Sequence, residues 1–246
     1  MTGETTAMAT QPLFREDAYL KEAAAVVTAL TPEGGIVLDR SIFYPAGGGQ
    51  PGDRGRLDWE GGGCDVATTV KGGEVDGNVL VPAEGSALPE VGTAVRQSLD
   101  WAFRWGCMRI HTGLHLLSVA IPLPVTGGQI GPEKGRLDFD MPDAPDKEAV
   151  QAALDALVAG DHVVSEEWIT DEELDANPGL VKTMSVQPPR GSGRIRLVRI
   201  GSGDATVDLQ PCGGTHVRRT GEIGALRVGK VEKKGKQNRR VAIHLG

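Results

Sequence analysis

The sequence predicts an α+β protein in which a small N-terminal antiparallel β-barrel domain precedes a domain with helices packed on an antiparallel sheet. Two observations support this prediction. Short apolar runs are separated by glycine clusters at 47–49, 61–63 and 72–73 and by turn signals at 76–77 and Pro82, at roughly the 8–12-residue spacing of small barrels and sandwiches. From residue 101 onward, apolar residues recur at helical spacing and strand-like segments follow. We therefore predict a barrel-like domain with a glycine-rich loop over 1–95 and an α+β domain over 96–246.

The second domain is predicted to contain three helices and several strands. Asp100 can cap a helix over 101–121, and Pro122 and Pro124 end it. A second helix opens at Asp146 and ends at Gly160. A short acidic helix covers 171–176. The predicted strands cover 163–170, 194–200, 205–209, 223–231 and 241–243.

Composition excludes several classes of protein. With 246 residues, 39% apolar and 24% charged, the chain has ordinary globular composition. Its three cysteines cannot all pair, which favours a reducing compartment. The N-terminus has no secretion-signal pattern, and the longest apolar run, 114–125, is well short of the ~20 residues of a membrane span. We predict a cytoplasmic protein with no membrane association and infer no obligate protein partner.

Charge is unevenly distributed along the chain. The net charge is −7, which by itself argues against a polyanionic partner. From Arg190 onward, however, 13 basic residues face 4 acidic ones, whereas the first 189 residues carry 13 basic and 29 acidic residues. This asymmetry is typical of a nucleic-acid footprint on an acidic protein, and a solvated surface is the plain alternative. The basic side chains of a predicted hairpin tip would meet the phosphates: Lys233, Lys234, Lys236, Arg239 and Arg240.

Two tight pairs of metal-binding residues stand about 96 residues apart. His111 and His115 are four residues apart in a predicted helix, so both imidazoles share one face. Cys212 and His216 flank two glycines, which would let the backbone turn so that sulfur and nitrogen point the same way. Three nitrogens and one thiolate suit zinc or a similar borderline-soft ion. We predict that these four residues bind one Zn²⁺.

Each pair alone is weak evidence, and only their combination favours a metal site. Residue 112 is Thr rather than Glu, so the zinc-protease signature is absent. Cys107 lies one turn before His111 and is an alternative fourth ligand, although a buried apolar role for Cys107 is favoured.

A glycine-rich stretch over 44–55 is the other unusual feature. It lacks the phosphate-loop pattern, and no helix is predicted to follow it. Three consecutive glycines leave bare backbone that a ligand or another domain could approach closely, while Gln50, Asp53 and Arg54 can offer hydrogen bonds. A tight bend in a barrel explains the glycines equally well.

Five segments resemble the editing domain of alanyl-tRNA synthetase, over about residues 95–246. They are His-Thr-Gly-Leu-His-Leu-Leu at 111–117, Gly-Arg-Leu-Asp-Phe-Asp at 135–140, Asp-Leu-Gln-Pro-Cys-Gly-Gly-Thr-His-Val at 208–217, Thr-Gly-Glu-Ile-Gly at 220–224 and the basic 231–240 stretch. The Gly-Gly-Gly-Gln-x-x-Asp-x-Gly stretch resembles the barrel that precedes editing domains in free-standing AlaX proteins. The chain lacks the length for a synthetase core and so is similar to the medium-length AlaX class, which edits in trans.

The resemblance implies hydrolysis of the ester that joins a wrong amino acid, serine first and glycine second, to the 3′ end of alanine tRNA. The acceptor end of tRNA(Ala) is then the partner. The family's zinc ligands fall on His111, His115, Cys212 and His216. Its substrate pocket carries over to these residues: Gln129, Gly47, Gly48, Gly49 and Gln50.

The sequence leaves the catalytic residue open. Four protein ligands close a tetrahedral zinc site, so another group must orient the attacking water. Thr112, Thr215 and Asp138 are candidates, but an ordinary capping or hydrogen-bonding role is favoured for each. Two alternative functions stay open: a zinc-stapled tRNA-binding module without hydrolysis, and a zinc hydrolase that acts on a small molecule or a peptide.

Overall fold

The computed structural model describes residues 10–72, 77–184 and 193–246. Arg190, where the basic part of the sequence begins, lies outside them. The chain forms two compact units. The first unit consists of the chain up to Gly47 together with Pro51–Arg104. The second unit consists of Gly48–Gln50 together with Trp105–Gly246. The domain boundary at 95/96 stays a prediction, because compactness does not show that a segment folds on its own.

The first unit is built mainly from strands. Its elements, within the described residues, are β1 (Gln11–Pro12), α1 (Leu13–Glu16), β2 (Glu22–Leu30), β3 (Ile36–Leu38), β4 (Arg40–Ser41), β5 (Gly55–Trp59), β6 (Gly62–Lys71), β7 (Asn78–Pro82) and β8 (Ala94–Leu99).

Six of these strands close into an antiparallel barrel in the order β2-β3-β7-β6-β5-β8. Closure pairs every strand on both sides, which removes exposed edges. The interior is filled mainly by aliphatic side chains, with the ring of Phe43 among them; members include Ile36, Leu38, Leu57 and Leu80. The predicted barrel is therefore confirmed.

A buried ion pair reinforces the barrel. Arg104 and Asp53 have side chains that are 0% and 1% exposed. Arg104 also donates to the carbonyl oxygens of Ala18 and Ile42, each at 2.8 Å, while Asp53 accepts from the backbone N–H of Tyr44 at 2.6 Å. Asp53, which the sequence offered as a hydrogen-bonding group of the glycine-rich stretch, is thus committed to a structural pair, and each charge is satisfied on several sides.

The second unit combines helices and two antiparallel sheets. Helix α2 (Trp101–Ala120) begins before the unit boundary, and the elements that follow are β9 (Val125–Ile130), β10 (Lys134–Asp140), α3 (Lys147–Ala159), β11 (Val164–Ile169), α4 (Asp171–Ala176), β12 (Ile195–Ile200), β13 (Asp208–Pro211), β14 (Leu226–Lys233) and β15 (Asn238–Leu245). Short 3₁₀ helices cover Pro178–Leu180, Gly203–Ala205 and Thr220–Ile223.

Helix α2 packs on one face of a four-stranded sheet of order β14-β15-β10-β9. Glycines allow the close approach. A Cβ at Gly135 would lie 2.5 Å from Cγ2 of Ile110, and one at Gly113 would lie 3.1 Å from Cδ1 of Ile243. Strands β11, β12 and β13 form the second sheet. Helices on antiparallel sheets are the predicted architecture of this half, and the α+β class is confirmed.

The predicted helices agree closely with those in the structure. Helix α2 begins directly after Asp100, whose carboxylate accepts from the N–H of Phe103 at 3.1 Å, as an N-cap does. Helix α3 is capped by Asp146, and α4 has the predicted bounds. Gly160 follows α3 in a right-handed conformation, and Asp161 adopts the left-handed one (φ 46°). Among the described residues, no helix has the length and apolarity needed to cross a membrane.

The strands agree less well. No strand was predicted at β9 or β10, although these strands form half of the four-stranded sheet. The strand predicted over 205–209 lies instead at Asp208–Pro211, because Gly203–Ala205 forms a helical turn. The basic segment does form a hairpin, between β14 and β15.

Candidate metal centre

Four side chains converge in the second unit at the positions that the sequence singled out. One ligand atom from each of His111, His115, Cys212 and His216 lies within 4.8 Å of the others. The Cys212 Sγ is 3.4 Å from Nε2 of His111 and 3.3 Å from Nε2 of His216. The three imidazoles are buried and Cys212 is partly exposed. This is the only such cluster of His, Cys, Asp and Glu found in the described chain.

Two elements of very different kind supply these ligands. His111 and His115 lie on one face of α2, one turn apart, as the helical spacing requires. Cys212 and His216 lie in the loop that follows β13. Arg196, on β12, donates to two carbonyl oxygens of this loop, those of Cys212 (2.6 Å) and Gly214 (3.0 Å). These hydrogen bonds fix the backbone between the two ligands.

Gly214 is required in this loop by close approach. Neither Gly213 nor Gly214 adopts a positive φ. The turn that these two glycines were expected to allow therefore needs no left-handed backbone. A Cβ at Gly214, however, would lie 2.3 Å from Cε1 of His111 and 2.7 Å from Oε1 of Gln50, whereas one at Gly213 would meet nothing within 4 Å.

Each imidazole has an acceptor on its Nδ1. The Nδ1 of His111 is 2.9 Å from Oε1 of Gln50, and that of His115 is 2.8 Å from Oδ2 of Asp208. The Nδ1 of His216 is 3.1 Å from Oγ1 of Thr112. These oxygens accept the Nδ1 proton and leave Nε2 as the ligand atom, which is the usual arrangement around metal-binding histidines.

The hydroxyl of Thr112 acts as an acceptor here because its own hydrogen is engaged. It donates to the carbonyl oxygen of Met108 at 2.9 Å, one turn earlier in α2. The backbone N–H of Val217 also points at this hydroxyl, at 3.3 Å. Three nitrogens with fixed tautomers and one sulfur fit a tetrahedral ion of the zinc type.

The electrostatics of the cluster favour an ionised thiol. Burial raises the pKa of Cys212, but the His111 and His216 imidazoles outweigh it, and the pKa lies well below its ordinary value. Burial, followed by the influence of His111, lowers the pKa of His216 to about 3. Burial has the largest single effect on the pKa of His115 and lowers it, but the hydrogen bonds and negative charges of Asp208 and Cys212 together outweigh burial and raise this pKa to about 9. A metal needs neutral imidazoles, so binding would displace a proton from His115.

Asp208 anchors this part of the site, a role that sequence reasoning missed. Its side chain is fully buried and accepts from three donors: Nδ1 of His115, Nζ of Lys182 at 2.5 Å and Nε2 of Gln210 at 2.8 Å. Burial raises the pKa of Asp208, but His115 and Lys182 together hold it well below its usual range. The only sequence signal was the place of Asp208 at the head of the motif over 208–217.

The predicted substrate residues of the second unit lie beside the cluster. Gln50 contacts His111 and Thr215, donating to Oγ1 of Thr215 at 2.9 Å and accepting from its N–H at 3.2 Å. Gly48 and Gly49 have φ of 57° and 84°. The carbonyl of Gly49 accepts from the N–H of Ile130 at 2.9 Å, which ties the loop to β9.

Gln129 is the neighbour of Ile130 on β9 and is exposed. A Cβ at Gly49 would lie 3.7 Å from Cα of Gln129. The structure therefore brings Gly48, Gly49, Gln50 and Gln129 together. Gly47 belongs to the first unit, where its carbonyl accepts from the hydroxyl of Tyr44 at 2.8 Å.

The other candidates have ordinary surroundings. Cys107 is buried and lies outside the cluster, which agrees with an apolar role. Asp138 lies on β10, where Arg136 and Arg240 donate to its carboxylate.

The predicted RNA-binding residues divide into two groups. Lys233, Lys234 and Lys236 are exposed at the hairpin tip. Arg239 is buried and donates to the carbonyl oxygen of Pro142, and Arg240 donates to Asp138 at 2.7 and 2.8 Å. The RNA-binding role of all five stays a prediction.

Comparison with known proteins identifies similar sequences over both units. Residues 195–242 match the threonyl and alanyl tRNA synthetase second additional domain, and residues 7–103 match the class II (A) tRNA synthetases. An alanine–tRNA ligase of Pyrobaculum aerophilum is 36% identical over 91% of this chain, which spans only 25% of that ligase.

Two relatives match along almost their whole length. The alanyl-tRNA editing protein AlaX-M of Methanosarcina acetivorans is 32% identical, over 94% of this chain and 97% of its own. The AlaX-M of Methanosarcina mazei is 33% identical, over 96% of both chains. The resemblance seen in the sequence motifs is thereby confirmed, and the chain belongs to the AlaX-M family of free-standing alanyl-tRNA editing proteins.

Proposed function

We propose that this protein is a trans-editing hydrolase that deacylates tRNA(Ala) mischarged with serine, and with glycine as a second substrate. The observation that carries this proposal is the cluster of His111, His115, Cys212 and His216, with each Nδ1 held by an acceptor, in a chain of the AlaX-M family. We further propose a cytoplasmic location, since three cysteines cannot all pair and so few of them favour a reducing compartment.

We take the metal to be Zn²⁺. Three imidazole nitrogens and one thiolate form a donor set typical of zinc, and the pKa of Cys212 favours the thiolate that zinc requires. When bound, such an ion supplies a fixed positive charge that can polarise an ester or hold the substrate end. The four side chains would hold the ion, while Gln50, Asp208 and Thr112 keep the imidazoles in the required tautomer.

The proposed reaction is hydrolysis of the aminoacyl ester by one water molecule. The oxygen of a water molecule forms a bond to the carbonyl carbon of the aminoacyl ester. The bond between that carbon and the ribose oxygen breaks, and the ribose oxygen takes up a proton, which releases serine and tRNA(Ala). An ester is already labile, so positioning and an oxyanion donor supply enough assistance.

Selection of serine over alanine requires a group that binds the serine hydroxyl. The Gln50 amide is already committed to His111 and Thr215 through both its oxygen and its nitrogen. Gln129 is exposed beside the glycine-rich loop, and its amide oxygen accepts from Arg136, so its amide N–H groups can donate to the hydroxyl. These groups and the backbone of Gly48 and Gly49 are therefore better placed for this role. A site built to hydrogen-bond a hydroxyl disfavours the analogue that lacks it.

One observation favours a second candidate function. Four protein ligands fill a tetrahedral zinc site, which is typical of structural zinc. The protein could then be a metal-stapled module that binds tRNA without hydrolysing it.

A single-turnover assay separates the two. Excess protein is mixed with seryl-tRNA(Ala), with and without prior chelation, and with His216→Ala and His162→Ala variants. His162 lies outside the cluster and serves as the matched histidine control. The hydrolase predicts rapid deacylation that chelation and His216→Ala abolish and His162→Ala retains. Tight binding of seryl-tRNA(Ala) without any release of serine would exclude the hydrolase and support the binding module.

A further inference from the structure

The outer face of the four-stranded sheet in the second unit carries three charged side chains, Arg136, Asp138 and Arg240, in a row that begins at Gln129. The inner face packs on α2 through Gly113 and Gly135. On the opposite face, Arg136 donates to Gln129 at 3.2 Å and to Asp138 at 2.9 Å, and Arg240 donates to the same carboxylate. These contacts show that the four side chains lie side by side across β9, β10 and β15.

The row itself carries two positive charges and one negative charge, and Glu232, the cross-strand partner of Arg240 on β14, is ion-paired with Lys230 and Lys234. Asp138 lies between two guanidinium groups whose side chains are 28% and 24% exposed. A guanidinium has five N–H donors, of which Asp138 takes one from Arg136 and two from Arg240. Both arginines therefore keep donors for a second acceptor, held in a fixed orientation by Asp138. Phosphate oxygens match such planar donor groups.

The row is continuous with the candidate metal centre. Gln50 contacts His111 there, and its neighbour Gly49 binds β9 through Ile130. Gln129 is adjacent on β9 and contacts Arg136. In the other direction, Arg240 leads along β15 to the hairpin tip with its exposed lysines.

The spacing suits a nucleotide strand. Arg136 and Asp138 are two residues apart on β10, about 7 Å, and Arg240 is the cross-strand partner of Asp138, about 5 Å away. Their guanidinium groups lie closer than their backbones, because Nη1 of Arg136 and Nη2 of Arg240 donate to the same Oδ2 of Asp138, at 2.9 and 2.8 Å. The two groups can therefore bind oxygens of one phosphate or of neighbouring phosphates in a strand.

We propose that this row, Gln129, Arg136, Asp138 and Arg240, is the track on which the single-stranded 3′ end of the tRNA lies. Arg136 and Arg240 bind the phosphates that precede the terminal adenosine. The exposed hairpin lysines then meet phosphates farther from the ester. This inference rests on the proposed function, because it is the position of the ester at the metal centre that makes the attached nucleotides the occupant of the track.

The test compares protein variants on two RNAs, one with and one without its 3′ end, and measures binding rather than hydrolysis. Full-length protein is titrated into an uncharged tRNA(Ala) acceptor minihelix, with or without its single-stranded 3′ end, for wild type, Arg136→Gln and Arg240→Gln. Arg136→Lys and Arg240→Lys keep the positive charge. Arg227→Gln, on β14 of the same sheet and opposite His244, is the matched control.

The track predicts that each Arg→Gln variant binds the complete minihelix about five- to tenfold more weakly than wild type and reduces the salt slope by about 0.7. The same variants should match wild type on the RNA without its 3′ end. The Lys variants should recover most of the affinity, and Arg227→Gln should change it less than twofold. Thermal melting of each variant shows that the fold is kept.

Equal losses on both RNAs, or no loss with either, would overturn the track. Because the measurement is binding of uncharged RNA, it also tests the track separately from the proposed hydrolysis. If the Arg→Gln losses depend on the RNA 3′ end but the protein releases no serine, the hydrolysis is refuted and the track is kept. If deacylation is normal but the losses do not depend on the 3′ end, the track alone is refuted.

Discussion

Replacing Gly214 by Ala should disrupt the metal centre through a single added methyl group. The new Cβ would lie 2.3 Å from Cε1 and 2.5 Å from Nδ1 of His111. Ordinary van der Waals contact begins at about 3.4 Å, so the ring or the loop must move by about 1 Å. The ring cannot move alone, because it is buried on α2 and its Nδ1 is hydrogen-bonded to Gln50.

The expected magnitude follows from this displacement. Metal–ligand distances must hold within about 0.2 Å, so a shift of about 1 Å takes Nε2 of His111 out of bonding range unless the loop opens. Overpacking of this kind costs about 1–3 kcal/mol. Changes to residues that orient ligands typically cost 10–100-fold in metal affinity, or about 1.4–2.7 kcal/mol. We expect Gly214→Ala to weaken zinc binding by at least about tenfold.

The assay is competition for zinc between the metal-free protein and a chromophoric chelator, with thermal melting in parallel. Gly213→Ala is the matched control, because its Cβ would meet nothing within 4 Å. Its zinc affinity should stay within about twofold of wild type. Equal affinities of the Gly214→Ala and Gly213→Ala proteins would refute the geometry proposed for the centre.

Three further changes test other parts of the structure. Asp208→Asn removes the carboxylate that orients a ligand imidazole and should weaken zinc binding about 10–100-fold in the same competition assay; unchanged affinity would contradict its role. Arg104→Met leaves Asp53 buried without its partner and should lower the free energy of unfolding in guanidinium by about 3–5 kcal/mol; a loss under about 1 kcal/mol would be inconsistent with a buried pair. The pKa of Asp138 lies below 3.8, mainly because Arg240 donates hydrogen bonds to its carboxylate. The stabilising contribution of this carboxylate is therefore fully present above pH 3.8 and is lost as pH falls through the folded-state pKa. Asp138→Asn should therefore lower the melting temperature above about pH 4 and have less effect in stronger acid, and a pH-independent difference would contradict the ion pair.

The helices and the ligand pairs were predictable because their determinants are local. Apolar spacing, the Asp100 and Asp146 caps and the bounding prolines define α2 and α3 within the sequence itself. The spacing of His111 and His115 places both on one helix face.

The parts that were missed depend on long-range contacts. Strand β9 reads Val-Thr-Gly-Gly-Gln-Ile and looks like a loop, but its partner β10 supplies the hydrogen bonds that make it a strand. Likewise, the residues next to Asp53 in the sequence do not indicate that its charge is buried, because its partner Arg104 is 51 residues away. Asp208 could be suspected from its motif, but its contact with Lys182 arises only when the sheet forms.

Two sequence features, the basic hairpin and the glycines beside Cys212, have a different role in the structure from the one that the sequence indicated. The basic hairpin reads as one cationic tip, yet Arg239 is turned inward and Arg240 is bound to Asp138, which leaves the lysines at the surface. The glycines beside Cys212 were expected to let the backbone turn, but a glycine is required only at position 214, because a Cβ there would collide with the imidazole of His111.

The most direct test of the central claim is deacylation of tRNA(Ala) carrying serine, glycine or alanine by the zinc-loaded protein. The account predicts rapid release of serine, slower release of glycine and little release of alanine, with all activity lost when zinc is removed and regained when it is restored. Equal rates on the three substrates, or no release of serine, would contradict the assignment of this protein as an editing hydrolase.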